Sequence, residues 1–297
     1  MNKKKDTRII CSIFAFVQTL SMVLMIMTVL LYTSFLSYGS IIRNLNSINY
    51  YEDIKEYTLE RIYDILIPTG LPNSITDDVF TLETYTFNVN GYIESTLNGT
   101  VFEFETTEIR DGLTRNINAF LESEGLYGYV EQSVIDEVIE AILESYISIA
   151  KLPFLSTIAD YIGIYRQLLN YIVPACLVII AFCAYMNFQI NKWKHRFYRY
   201  QAYSCVATGL MITIIPLIIK VWGGYARIAL QPDYINHFIV YQINALLHAF
   251  IIVGILLIIS GVLIAWLSEK GRETLIKEIK SKYKKVDKVD NTSIVES

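Results

Sequence analysis

Charge is what this sequence has little of. Of 297 residues only 18% are Asp, Glu, Lys or Arg, while 53% are hydrophobic; soluble domains average roughly 25% charged and 45–50% apolar. That balance excludes a disordered or fibrous chain and argues against an ordinary soluble enzyme. Catalytic signatures are also missing: no Walker-type loop, G-x-G-x-x-G, G-x-S-x-G or H-E-x-x-H occurs. Cys11, Cys176, Cys183 and Cys205 all lie in or beside apolar runs, and none falls within residues 36–165. A disulfide scaffold is therefore excluded from that segment, and no paired zinc-ligand spacing exists. No cofactor is expected.

What the sequence does have is four apolar runs, each long enough for the about 20 residues that cross a bilayer. They cover residues 9–36, 168–190, 202–221 and 243–267. No ionisable residue sits near the centre of any of them, so the intramembrane charges typical of ion-coupled transporters are lacking. The first run is too long for a signal-peptide core and no small-residue cleavage site follows it, so it reads as an uncleaved anchor. Lys and Arg flank the runs unequally. The ends 1–8 and 268–297 and the loop 191–201 are basic, whereas the loop 222–242 carries only Arg227. By the positive-inside rule both termini face the cytoplasm, giving a multi-pass plasma-membrane protein. Trp193, Trp222 and Trp266 fall at span ends, where interfacial anchors belong. Gly254 and Gly261 are a heptad apart on span four and offer a helix-packing face.

Charge is also divided unequally. Residues 36–165 hold 21 acidic and 6 basic side chains, a net −15, which leaves the rest of the chain at +11. Such a polyanionic segment repels phosphate backbones, so nucleic acid is not an expected partner. Residues 37–165 read as an extracytoplasmic domain, mainly helical. Ile41, Leu45, Ile48, Tyr51, Ile54, Thr58, Ile62 and Ile65 keep a three-four spacing that predicts one amphipathic helix of about 25 residues, stopped by Pro68, Gly70 and Pro72. Ile109 to Leu121 and Val130 to Ile149 predict two more helices. Between them two arrangements fit. One is a helix from Thr76 to Leu97 with Gly99 just past its end; the other is a small β-hairpin or meander within 84–105, marked by Asn90-Gly91 and Asn98-Gly99. Residues 146–165, with Lys151, Pro153 and Asp160, read as a partly buried or interfacial lead into span two. The fold class expected is thus an all-α membrane protein: four transmembrane helices and an acidic helical extracytoplasmic domain.

Tyr50-Tyr51-Glu52-Asp53, Gly70-Leu71-Pro72 and Gly91-Tyr92-Ile93-Glu94 resemble a group of bacterial four-span membrane proteins typical of low-GC Gram-positive organisms. The likeness covers most of residues 1–190. It implies a helical extracytoplasmic insert between spans one and two and a bacterial plasma membrane, and it supplies no functional residue.

Few residues invite chemistry. Ser148 and Lys151 match a bare S-x-x-K spacing without its companion elements. Asp77, Asp78, Glu103 and Glu105 are weak candidates for a hard cation, though after Thr76 the Asp pair fits a helix N-terminus better. His237 and His248 are expected to be interfacial hydrogen-bonding groups. In the tail, Lys277, Lys280 and Lys284 cover one side of an amphipathic pattern suited to anionic lipid. The expectation is a non-enzymatic protein partnered by the lipid bilayer. Its acidic domain would bind an envelope component, a partner membrane protein or, as a homo-oligomer, itself. The alternative is an oligomeric channel or transport-complex subunit.

Overall fold

The computed structural model describes residues 3–152, 155–191, 193–227 and 230–295, with side chains excepted at 3–6, 157–158, 275 and 277–295. All regular structure among these residues is helical, with no strand. Four of the helices contain segments long and apolar enough to cross a membrane: Thr7–Leu36, Ala159–Ile190, Lys194–Arg227 and Asp233–Thr274. The chain divides into two compact units. One comprises Met1–Leu31, Leu169–Gly224 and Asn244–Ser297; the other comprises Tyr32–Leu168 and Tyr225–Ile243.

The first unit is built from α1 (Lys3–Leu31), most of α7 (Leu155–Ile190), α8 (Lys194–Trp222) and most of α9 (Asp233–Val295). Without water to drive apolar faces together, such helices associate through close backbone approach and buried polar pairs. Both devices occur. Gln18 and Gln201 exchange side-chain hydrogen bonds at 2.6 and 3.2 Å between α1 and α8. The Ser204 hydroxyl donates to the Ala15 carbonyl at 3.0 Å. Between α8 and α9, a Cβ on Gly209 would stand 2.7 Å from the Gly254 carbonyl, and one on Gly261 would stand 2.6 Å from Val206. Only glycine admits this spacing.

The second unit has a conventional apolar core. It is formed by α2 (Tyr38–Ser47), α3 (Tyr50–Leu66), α4 (Leu82–Asn98), α5 (Thr107–Ser123) and α6 (Gln132–Ala150), with the starts of α7 and α9. The single helix expected over 41–65 is two. Asn49 adopts the left-handed conformation (φ 54°) between α2 and α3, a state that asparagine tolerates better than most residues. Tyr50, directly after the break, is fully buried.

The β-hairpin within 84–105 does not form. Thr81 caps α4 through the Thr84 N–H, and the helix runs to Asn98 with Gly99 left-handed beyond it (φ 72°). Asn90 and Gly91 lie inside the helix, where Tyr51 donates to the Asn90 side chain at 2.6 Å. The Phe102 ring occupies the space a Cβ on Gly91 would need. Both dipeptides that resemble hairpin turns thus serve the helix: one provides a contact surface and the other its C-terminal stop.

The segment 222–242, read as a loop, is helical from Asp233. Tyr234, Ile235 and Phe238 recur with helical spacing and enter the core of the second unit, where Tyr50 meets Tyr234 and Phe238 at ring-centroid distances of 5.6 and 6.0 Å. Gln242 is buried and bridges two elements, accepting from Asn44 at 2.5 Å and donating to the Phe35 carbonyl at 2.7 Å.

Candidate functional site

The surface of the second unit is its most distinctive feature, and it is concentrated on α5 and α6. Their apolar stripes, Ile109, Leu113, Ile117 and Leu121 on one and Ile135, Ile139, Ile142 and Tyr146 on the other, are buried. Helical periodicity then leaves the carboxylates facing outward. Between Asn116 and Ala150 the sequence has seven acidic residues and no Lys or Arg. Glu122, Glu124, Glu131, Asp136 and Glu137 are exposed. One cross-helix pair, Arg110 with Glu140 at 2.5 Å, offsets part of the charge.

The connection between α5 and α6 carries aromatic side chains outward. Gly125 (φ 69°) ends α5, with the Leu126 and Tyr127 N–H groups both donating to the Leu121 carbonyl at 2.8 and 3.1 Å. This is the bonding expected where a left-handed glycine stops a helix. Gly128 is also left-handed (φ 84°), and the Tyr129 N–H donates to the Leu126 carbonyl at 3.0 Å. Val130 turns back against the core. The result is a tight turn held by its own backbone, from which Leu126, Tyr127 and Tyr129 project with 46%, 63% and 86% of their surfaces exposed. Sequence patterning overlooks this tip, because a Leu and two Tyr between amphipathic helices count as core by composition. The available signal is the alternation of glycine with large residues between Glu124 and Glu131.

The other candidate residues are dispersed. Asp77 ends a short 3-10 turn rather than beginning a helix, and Asp78 is left-handed (φ 58°). The N-cap role expected for this pair belongs to Thr81, whose hydroxyl lies at the geometry a cap requires. Asp77 and Asp78 line a cleft of about 350 Å³ with Lys55, Tyr63 and Phe80. Glu103 is exposed. Glu105 accepts the Thr107 N–H at 3.2 Å at the start of α5. Hydrogen bonds from the Thr107 hydroxyl and then its backbone hold that carboxyl below the usual range. Among the described residues no three His, Cys, Asp or Glu side chains gather as a metal set.

Ser148 is exposed on α6, and the Lys151 ammonium lies 5.7 Å from the centre of the Phe104 ring. His237 faces Asp53 at 3.9 Å, and His248 contacts Lys220. Trp193 precedes α8 and Trp222 is its last residue, whereas Trp266 lies in α9 with the Lys270 ammonium 3.7 Å over its ring. Gly254 and Gly261 face α8. The side chains of Lys277, Lys280 and Lys284 lie outside the described residues. No protein-family model, curated protein or solved structure matches this chain.

Proposed function

We propose that this chain is a multi-pass plasma-membrane protein, with cytoplasmic termini, that presents residues 37–165 outside the cell as an acidic helical binding domain. It acts without catalysis. The observation that carries this reading is the net −15 of residues 36–165, borne on a folded helical unit with a buried core. Charge of one sign on that scale steers association with oppositely charged partners and raises the rate of encounter. It also selects among the partners. Two copies meeting through this surface would repel, so a basic envelope component or a basic face of another membrane protein is favoured over self-association. The resemblance to four-span Gram-positive membrane proteins is compatible with this arrangement.

The test is purification of the full chain from its native membrane in mild detergent, with identification of what accompanies it. A stoichiometric partner with a basic exterior is the expected result. A partner-free oligomer that conducts ions in liposomes would overturn the binding reading in favour of a channel.

A further inference from the structure

We infer that the α5–α6 tip, Leu126, Tyr127 and Tyr129 flanked in the chain by the exposed Glu122, Glu124 and Glu131, is a docking surface for an arginine-rich basic protein segment. The inference rests on the binding reading above and names the contact point and the chemistry of the partner.

Three observations carry it. First, the apolar side chains are held outward by construction. Two left-handed glycines and backbone hydrogen bonds to Leu121 and Leu126 set the turn, while the neighbouring Val130 packs inward. A rigid turn loses little conformational freedom on binding, which favours affinity. Second, tyrosine combines a large apolar face with a hydroxyl and has few torsions to freeze, which suits it to protein contacts. Third, every charge in the sequence from Asn116 through Ala150 is negative, and the carboxylates flanking the tip are exposed.

These features select the partner. A guanidinium stacks on a tyrosine face and pairs with carboxylates in two directions, whereas an ammonium does only the second well. The flanking carboxylates oppose an anionic bilayer, because each carboxylate near such a surface is repelled. It equally opposes the same tip of a second copy.

The experiment uses the full chain in phosphatidylcholine nanodiscs, with deca-arginine and deca-lysine as probes. Deca-arginine is expected to bind more tightly than deca-lysine, with an affinity that falls as salt rises. The double substitution Tyr127→Ser/Tyr129→Ser is expected to weaken deca-arginine binding by about tenfold and to abolish its advantage over deca-lysine. Because both side chains are exposed, the helical circular dichroism should be unchanged. In a Tyr129→Trp variant, deca-arginine should alter the emission of the new indole, and vesicles of phosphatidylglycerol should not.

Equal binding of the two peptides, unaffected by the serine pair, would overturn the tip as contact point while leaving a binding role for the acidic domain. A blue shift on phosphatidylglycerol alone would overturn it in favour of membrane insertion. Failure of both peptides to bind at low salt would defeat the tip and the charge-led binding reading together.

Discussion

Asn88 is fully buried on α4, and its amide is fully engaged. Its nitrogen donates to the Tyr146 hydroxyl at 2.8 Å and to the Glu105 carbonyl at 3.0 Å, and its oxygen accepts the Glu105 N–H at 2.9 Å. One side chain thus ties α4 to α6 and to the extended segment before α5. Asn88→Ala should lower the stability of this unit by about 2–4 kcal/mol, since it strands buried polar groups as well as removing bonds; thermal loss of the helical circular dichroism signal measures it. The tyrosines around this core add a pH dependence. Burial raises Tyr51 and Tyr146 from 10 to about 12 and Tyr50 well above its ordinary value, because the phenolate is poorly solvated there. A pKa raised by folding means that the folded state holds its proton more tightly. The contribution to stability is therefore complete below pH 10 and is lost as pH rises through about 12. Phenolate absorbance should show a late-titrating class of tyrosines, with helix loss over the same interval. Titration of every tyrosine near 10 with the helices intact would contradict this.

Elements show which sequence signals were decisive. The stripes of α5 and α6 are legible because each helix buries one continuous face and is bounded by turn residues. Over 41–65 the spacing predicts one helix where there are two, because periodicity continues through this region and nothing local distinguishes an asparagine that stays helical from one that turns left-handed. Helix and hairpin both fit the sequence at 84–105 for a related reason: Asn-Gly serves a hairpin turn or a helix interior, depending on what packs over it. Here Phe102 does. In the first unit the decisive elements are α8 and α9, where Gly209 and Gly254 allow backbone contact. Gly209→Leu should lower the thermal midpoint in detergent by forcing these helices apart, an overpacking cost of about 1–3 kcal/mol or more. Gly271→Ala is the control, because its Cβ would meet only His195 Cβ at an ordinary 3.9 Å. Equal midpoints for both variants would refute the role of close approach.

At the scale of the molecule the governing quantity is the split between −15 over residues 36–165 and +11 elsewhere. It yields a topological prediction: a Tyr129→Cys variant should react with a membrane-impermeant maleimide in intact cells, and a Lys194→Cys variant should react only after permeabilisation. The reverse pattern would invert the orientation and remove the domain from the cell exterior.

The sequence by itself determined the mainly helical class, the four apolar segments and the concentration of negative charge, because length, hydropathy and formal charge are sums over neighbours in the chain. The tertiary structure alone decided which residues meet across long separations. Gln18 pairs with Gln201, Gln242 is buried between Asn44 and the Phe35 carbonyl, and Tyr234 joins Tyr50 and Tyr57 in one aromatic cluster. It also decided that Leu126, Tyr127 and Tyr129 face outward. Their composition favours burial, but the turn's backbone hydrogen bonds and its two left-handed glycines fix the direction in which they point.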